Sequence, residues 1–332
     1  MKKRNKKKVY PKRDVYQEIT NTLIASLEAG TVPWHQPWTV CGDRGLPRSG
    51  ATGKPYSGIN SLLTMYAPYE SPWWLTFKQC KELGGNVKGQ KGTMITKWIV
   101  YEDTPEDKIA GKPDRTKRPI LRHFVVFNLE QCNLPDKALA WFAKRLDKLA
   151  PAIPEEFVGV DTFTSAAKVS GDYLERENIN LSHKGDEAYY APLEDRIVLP
   201  NRNQFDSSES YYAVLFHEEV HSTGHSSRLN RGNDTRSRNG SDELQVYSRE
   251  ELVAEMGSSF ICGMLGIAND KIDTNRDAYI AGWLKKLKDD KKAVILASSA
   301  AAKASDCILN TSPCEGDIDF ESGDAAEGDT NG

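Results

Sequence analysis

Two histidines and a glutamate lie together in the segment "FHEEVHSTGH" (residues 216–225), which holds three of the six histidines of the chain. His217 and His221 are four residues apart, so on an α-helix both imidazoles lie on one face and can reach a single ion. Glu218 completes an HExxH pattern, in which two neutral imidazoles bind Zn²⁺ and the glutamate takes a proton from the metal-bound water. The spacing therefore predicts His217 and His221 as metal ligands and Glu218 as the general base of a peptidase.

The third histidine of this segment, His225, fits the metal site less well. Gly224 favours an end of the helix, and a helix that continued would place His225 about 12 Å along the axis from His217. Nor does His225 match the longer HExxHxxGxxH motif, whose last position here is Ser227. We expect His225 to be a structural group or to contact the substrate.

Catalytic zinc keeps three protein ligands and one open position, so a third ligand is needed. The segment "YSREELVAEMGSSFICGMLG" (residues 247–266) predicts a helix that is capped by Ser248 and buries an apolar stripe. Glu251 and Glu255 share one face of this helix, whereas Glu250 points elsewhere. We predict Glu251 as the third ligand and Glu255 as an acceptor that fixes the tautomer of a ligating histidine. A solvated, acidic helix N-terminus is the alternative interpretation of these glutamates.

The expected cofactor is one Zn²⁺ per chain, although Mn²⁺ and Co²⁺ also accept two histidines and a carboxylate as ligands. Glu219 lies a further step around the helix and should face away from the ion. Peptide hydrolysis also requires a donor that stabilises the oxyanion of the transition state. The candidates are Tyr247, His225 and Arg228, and the sequence does not choose among them.

Aromatic and basic residues alternate through segments rich in glycine and proline near the start of the chain. Bases of single strands stack on aromatic rings while lysine and arginine contact the phosphates, so this composition indicates binding of single-stranded nucleic acid. The candidate residues are Trp34, Trp38, Arg44, Arg48, Lys54, Tyr56, Trp73 and Trp74. The competing interpretation is that these tryptophans are buried, and that the pair at 73 and 74 anchors the following helix.

Several of these segments resemble ArdC-type antirestriction proteins. Similarity to their C-terminal domain lies in "DRIVLPNRNQFDSSESYYAVLFHEEVHSTGHSSRLNR" and "YSREELVAEMGSSF". Similarity to their N-terminal single-stranded-DNA-binding domain, which TraC-type plasmid primases share, lies in "DVYQEITNTLIASLEAGTVPWHQPW", "TGKPYSGINSLLT" and "WWLTFKQCKELGGNVKGQKGT". The resemblance covers most of residues 13–270. It implies a plasmid- or phage-borne protein that binds single-stranded DNA, carries a zincin domain and shields incoming DNA from restriction.

We expect an α+β fold of two domains, which suits a chain of 332 residues of which 39% are hydrophobic. "GTMITKWIVY" and "LRHFVVFNLEQ" predict a hairpin in the first domain, and "DRIVLP" (residues 195–200) predicts an edge strand to which an extended polypeptide substrate can add. The expected divisions are a basic arm (1–12), a single-stranded-DNA-binding domain (13–134), a helix and linker (135–154), a zincin-like metallopeptidase domain (155–305) and an acidic disordered tail (306–332).

The net charge of −3 conceals a segregation of charge. The first thirteen residues carry eight basic groups and no acid, whereas the residues from Asp306 onward carry eight acids and no base. The basic arm fits a phosphate-seeking tail and a disordered solubilising end equally well. The six cysteines are scattered, which favours free thiols over disulfides. Because no apolar run approaches a membrane span and the start lacks a signal peptide core, we expect a cytoplasmic protein without membrane contacts.

These features favour a single-stranded-DNA-binding antirestriction protein whose zinc metallopeptidase domain hydrolyses peptide bonds in DNA-associated proteins or restriction components. Two functions of other classes remain open. The chain could be a non-proteolytic DNA-binding shield with a structural metal, since ligand spacing does not reveal an open coordination position. It could also be a primase accessory protein, although only the N-terminal segments fit that function and the sequence has no polymerase motif.

Overall fold

The computed structural model describes residues 14–35, 46–65, 67–99, 120–146, 162–231, 240–267 and 276–311. At residues 35, 162, 240–248 and 276–279 only the backbone is described. Trp38, Arg44, the basic arm, residues 147–154 of the predicted linker and residues 312–332 of the acidic tail lie outside the described residues. The predictions for these parts of the chain stay predictions.

The N-terminal half combines short helices with a four-stranded sheet. Asp14 caps the first helix, because its carboxylate accepts a hydrogen bond from the backbone N–H of Gln17 (3.2 Å). The helices are α1 (Val15–Glu28), α2 (Ile59–Met65), α3 (Phe77–Glu82) and α4 (Asp136–Leu146). Across the sheet the strands follow the order β1 (Arg48–Ser49), β2 (Trp73–Thr76), β4 (Ile120–Asn128) and β3 (Thr93–Ile99). β3 and β4 form the predicted antiparallel hairpin.

The C-terminal half places helices against a three-stranded sheet. The helices are α5 (Thr162–Arg176), α6 (Ser208–Thr223), α7 (Gly240–Leu265), α8 (Arg276–Asp289) and α9 (Ala293–Ile308). The strands are β5 (Asn180–His183), β6 (Tyr189–Ala191) and β7 (Arg196–Leu199). β7 lies in the middle, parallel to β5 and antiparallel to β6. The α+β class is therefore confirmed.

The predicted edge strand at residues 195–200 is wrong, since β7 is the central strand of its sheet and β6 lies at an edge. Ile197, Val198 and Leu199 are buried in succession. A strand that is covered on both faces has such a continuous apolar run, whereas a half-exposed strand alternates apolar and polar residues. The run "IVL" thus indicates a central strand.

The two halves share a hydrophobic core. The apolar residues of α1 and α2 belong to the same buried cluster as those of α5, α6, α7, α8 and α9. Polar contacts tie α1 to the same region, because the hydroxyl of Thr20 donates to the carbonyl of Lys291 (2.8 Å) and Glu28 pairs with Lys288 (3.0 Å). A second, smaller cluster lies under the four-stranded sheet and includes Trp73 and Phe142. The N-terminal helices therefore support the C-terminal domain as well as their own.

Cysteine chemistry differs in part from expectation. Cys80, Cys132 and Cys262 are buried free thiols, as expected. Cys307 is disulfide-bonded, so the expectation of free thiols is wrong at this position. Among the described helices, none is both long enough and apolar enough to cross a membrane.

Candidate metal centre

Helix α6 carries the HExxH residues and is fixed at both ends. At its start the hydroxyl of Ser207 accepts a hydrogen bond from the backbone N–H of Ser210 (3.2 Å). At its end, the capping residue Gly224 donates a hydrogen bond from its backbone N–H to the carbonyl of His221 (2.9 Å). The buried side chains of α6 that lock it into the core include Tyr211, Tyr212, Leu215, Phe216 and Val220. His217 and His221 therefore stand on a helix whose rotation is set by packing.

Helix α7 carries the glutamates that were expected to complete the site. It begins at Gly240, so the predicted cap at Ser248 is wrong. The predicted apolar stripe is confirmed, since Leu252, Val253, Met256, Phe260, Ile261 and Leu265 are all buried. Glu251 consequently lies inside the helix, about three turns from its start at 3.6 residues per turn. A solvated acidic N-terminus therefore does not describe its position.

A glycine lets α6 and α7 approach closely enough to share a site. A Cβ atom added at Gly257 would lie 2.8 and 2.9 Å from the two methyl groups of Val220. Valine is branched at Cβ and has one strongly preferred rotamer in a helix, so these methyl groups cannot swing aside at low cost. The two helices can therefore cross this closely only because residue 257 has no side chain.

We expect Gly257→Ala to lower the free energy of unfolding by about 1–3 kcal/mol, as other insertions into packed cores do. An alanine in an open helical position would instead add up to about 1 kcal/mol. Gly282 of α8 provides that control, since nothing lies within 4 Å of its added Cβ. Urea unfolding should show Gly257→Ala as destabilised and Gly282→Ala as neutral or stabilised. Equal stability of the two variants would contradict this packing.

The structure brings His217, His221 and Glu251 together as three donors of one site. Their ligand atoms all lie within 4.8 Å of one another. The two Nε2 atoms are 3.1 Å apart, and the Glu251 carboxylate oxygens lie 3.7 Å from Nε2 of His217 and 3.5 Å from Nε2 of His221. In a tetrahedral site with ligand bonds of about 2.0–2.1 Å, donor atoms are separated by roughly 3.3 Å. The donor set therefore fits a single divalent ion.

Glu250 also faces the site, so the expectation that it points elsewhere is wrong. One of its carboxylate oxygens lies 3.6 Å from Nδ1 of His221. The same carboxylate accepts two hydrogen bonds from Arg231 (2.7 and 3.2 Å), and Arg231 donates further to the Val220 carbonyl (2.7 Å) and the Thr223 hydroxyl (2.5 Å). Burial raises the pKa of Glu250, but His221 and Arg231 outweigh it and hold that pKa below its ordinary value. Glu250 is thus held ionised beside His221, one of the three candidate donors.

The predicted general base, Glu218, lies beside the donors and is only 7% exposed. The backbone N–H of Tyr190 on β6 lies close enough to this carboxylate to favour its ionised form. Burial raises the pKa of Glu218 above its ordinary value, against the opposing charges of His217 and His221. A carboxyl with a raised pKa suits a group that must accept a proton and then release it. β6, the edge strand, therefore passes directly beside the reacting groups.

Several carboxylates surround His217. Burial lowers the pKa of this histidine, but the nearby Glu251 carboxylate and the charges of Glu255 and Glu218 raise it above its ordinary value. Glu255 thus acts on His217 from the same face of α7, as its spacing from Glu251 predicts. Its function as the acceptor that orients a ligand stays a prediction.

Arg228, one of the three candidate oxyanion donors, is engaged in a buried network. It donates to both carboxylate oxygens of Asp195 (2.5 and 3.0 Å), to the hydroxyl of Tyr190 (3.3 Å) and to the carbonyl of Ser222 (2.8 Å). These contacts fasten the turn between β6 and β7 to the end of α6. An oxyanion function for Arg228 stays a prediction, which this network does not favour.

The other predicted neighbours of the site fall in different places. His225 lies beyond the end of α6, bonds the hydroxyl of Ser227 through Nδ1 (2.7 Å) and does not belong to the donor set. Glu219 points away from the donors, because its buried carboxyl bonds the hydroxyl of Ser170 on α5 (2.5 Å). The side chain of Tyr247 lies outside the described part of the structure.

Three of the tryptophans that were candidates for DNA binding are buried. Trp34, Trp73 and Trp74 are only 0%, 1% and 1% exposed, so no base can stack on these rings in this conformation. Trp34 packs edge-on against Trp283 (5.7 Å between ring centroids) in the shared core. The alternative interpretation of these tryptophans as core residues is confirmed.

The polar candidates for DNA binding are divided between core and surface. Arg48 is buried, and its guanidinium donates to the carbonyls of Leu46 (3.2 Å) and Gly53 (3.3 Å). Tyr56 is half-buried, and burial raises its pKa to about 12. Lys54 is exposed. Lys54 is thus the candidate that most directly meets solvent within the described residues.

Comparison with known proteins places these observations in a family. Residues 13–127 match the N-terminal domain of anti-restriction factor ArdC, and residues 170–300 match a zincin-like metallopeptidase. The chain is 33% identical over 309 residues to the DNA primase TraC of Escherichia coli. The aligned region covers 90% of this chain and only 20% of TraC. The shared region is therefore one part of a much longer primase.

Solved structures give the same result over nearly the full length. The metal-free crystal structure of the antirestriction protein ArdC from plasmid R388 is 35% identical, covers 90% of this chain and 97% of its own, and has a TM-score of 0.63. The Mn(II)-bound structure of that protein is 34% identical, covers 90% of this chain and 98% of its own, and has a TM-score of 0.60. The chain therefore belongs to the ArdC family of antirestriction proteins, and it joins an ArdC-type N-terminal domain to a zincin-like metallopeptidase domain.

Proposed function

We propose that the N-terminal domain binds single-stranded DNA and that the C-terminal domain is a metal-dependent peptidase, which hydrolyses proteins associated with incoming mobile-element DNA. The observation that carries the peptidase is the close grouping of three donors, 3.1 to 3.7 Å apart, with the Glu218 carboxylate at their side. The relationship to a DNA primase and to an antirestriction protein supports the DNA-directed part. Restriction components bound to the incoming DNA are the substrates we favour.

His217, His221 and Glu251 would hold one divalent ion. Two imidazoles and a carboxylate suit Zn²⁺ best, and Mn²⁺ or Co²⁺ also fit such ligands. The R388 relative has been crystallised with Mn(II), which supports a divalent ion in this family without selecting the metal. When bound, the ion supplies a Lewis acid and lowers the pKa of a coordinated water towards about 7.

The protein side chains provide the proton transfers and the orientation. The Glu218 carboxylate accepts the proton of the attacking water and passes it to the nitrogen of the leaving amine. The nearby Tyr190 N–H favours the ionised form of this carboxylate, and Glu250 with Arg231 restrains the His221 ring. β6 has β7 on one side and no partner strand on the other among the described residues, so an extended substrate can add along it next to Glu218.

The proposed function is tested by asking whether proteolysis depends on both metal and DNA. Purified full-length chain, stripped with a chelator and reloaded with Zn²⁺, is incubated with a DNA-bound restriction endonuclease, with and without a single-stranded oligonucleotide. We expect cleavage only in the reloaded protein, and faster cleavage with the oligonucleotide. Tight DNA binding by a metal-loaded chain that cleaves neither the endonuclease nor itself would favour a non-proteolytic shield.

A further inference from the structure

Helix α4 presents an exposed aromatic ring among basic side chains. Trp141 is 49% exposed, in contrast to the buried tryptophans of the N-terminal half. Lys137, Lys144 and Arg145 are four residues before, three after and four after it, so all three lie on the same face of the helix. The helix is anchored from below by Phe142, which packs on Trp73 (5.4 Å between ring centroids). The packing of Phe142 therefore fixes the rotation of α4 so that the face with Trp141 is exposed to solvent.

Arg145 connects this face to the loop at residues 50–54. Its guanidinium carbon lies 4.9 Å from the Trp141 ring centroid and 5.4 Å from that of Trp73. Its Nη1 donates to the Gly50 carbonyl (3.1 Å), and Nη2 would lie 2.5 Å from a Cβ added at Gly53. Gly53 has φ +77° and lets the loop pass directly over the guanidinium. The exposed Lys54 follows Gly53 in this loop.

Two arginines meet at one tryptophan ring under this surface. The Arg48 guanidinium lies 6.0 Å from the Trp73 ring, so two arginines contact one tryptophan. Burial, and then the charge of Arg145, lower the pKa of Arg48 below its ordinary value. Within the described part of the chain, neither arginine has a carboxylate at salt-bridge distance. An anion that bound nearby would relieve this repulsion.

A cationic surface around a half-exposed indole matches the chemistry of a single strand. Phosphates bind to lysine and arginine, while an unpaired base stacks on the aromatic ring. A duplex would offer only its phosphates, because its bases are stacked inside. We propose that α4 and residues 50–54 form a contact surface for single-stranded DNA, in which a base stacks on Trp141 and phosphates contact Lys54, Lys137 and Lys144. This surface deepens the proposed function and rests on its DNA-binding part.

The first test measures binding of a fluorescein-labelled oligo(dT) of about 20 nucleotides to the full-length chain by anisotropy. Trp141→Ala should weaken binding roughly 5- to 100-fold, which corresponds to the stacking of one base. Trp141→Phe retains an aromatic face and should recover most of the affinity. Leu139→Ala is the matched control, since Leu139 is a 40% exposed apolar residue two positions away on α4 and about 160° around it. It should bind within about twofold of wild type, as expected for a change off the stacking face.

The second test uses the lysines, which are exposed and whose replacement does not disturb the core. The double variant Lys137→Gln, Lys144→Gln should reduce the slope of log affinity against log salt by about 1.4, since each phosphate contact on a single strand contributes about 0.7. Wild-type affinity in Trp141→Ala would overturn the proposed contact surface but not DNA binding itself. If Trp141→Ala does not fold, an unchanged salt slope in the double lysine variant would have the same meaning. Failure of the wild-type chain to bind oligo(dT) would overturn the DNA-binding part of the proposed function with it.

Discussion

Glu218→Gln should abolish peptide hydrolysis and leave the metal in place. Glutamine keeps the size and the hydrogen-bonding reach of the side chain but cannot accept the proton of the attacking water. General base catalysis typically contributes about 10²–10⁴-fold to the rate, so we expect a loss of at least about 100-fold. The measurement is the rate of substrate cleavage, together with the metal content of the same preparation.

Glu219→Gln supplies a matched control at the neighbouring position. Burial raises the pKa of Glu219 to about 8, so its carboxyl is protonated at neutral pH and resembles the amide that replaces it. Its contact is Ser170 on α5 and not the donor set. The control should keep most of its activity. If Glu218→Gln cleaves as fast as Glu219→Gln, the function assigned to Glu218 is wrong.

Glu251→Gln should release the metal, whereas Glu250→Gln should only weaken its binding. Glu251 offers carboxylate oxygens 3.5 and 3.7 Å from the ligating nitrogens, and its loss removes both a ligand and a negative charge. Glu250 acts through His221, and loss of such a supporting carboxylate typically costs about 10–100-fold in metal affinity or activity. Metal affinities from competition with a chromophoric chelator should rank wild type above Glu250→Gln and Glu250→Gln above Glu251→Gln.

This pair of variants also distinguishes a metal ligand from a supporting carboxylate on α7. A ligand and a supporting group differ in their effect on the ion, while two solvated surface glutamates would be equivalent. Retention of the metal by Glu251→Gln at wild-type affinity would contradict the three-donor site. Arg231 pairs with Glu250 and gives a further check, because Arg231→Met should reproduce the effect of Glu250→Gln.

The grouping of the donors was predictable from sequence because it depends on short-range helix geometry. His217 and His221 are one turn apart, and Glu251 is identified by the apolar stripe that sets the rotation of α7. Glu250 was missed because its contact with His221 depends on how α6 crosses α7, which Gly257 permits, and on Arg231 in the connecting segment. Contacts between residues on different helices produce no regular residue spacing that a sequence pattern could reveal.

The DNA-binding residues were harder to predict for a different reason. A tryptophan next to an arginine looks the same in the sequence whether its ring faces solvent and can stack on a base or is buried in the core. Trp73 and Trp74 lie on β2, which has β1 and β4 on its two sides, and are therefore buried. The exposed Trp141 lies in a segment that sequence analysis assigned to an interdomain helix and linker. Exposure depends on which helix face the rest of the fold leaves uncovered.

The shared core offers a connection between the two proposed activities. α1 and α2 pack with the helices that carry the metal donors, while α4 packs under the four-stranded sheet. A single strand bound at α4 would thus lie on a domain whose other helices support the peptidase. This arrangement gives a physical route by which DNA binding can stabilise the catalytic helices, and it agrees with the expected stimulation of cleavage by the oligonucleotide.

The most direct test of proteolytic antirestriction is protection from restriction in cells that express either wild type or Glu218→Gln. Restricted DNA is introduced as a single strand, and its establishment is counted relative to unrestricted DNA. We expect that wild type protects, and that Glu218→Gln, present at equal amount, loaded with metal and bound to DNA, does not. Full protection by Glu218→Gln would show that the chain shields DNA without proteolysis.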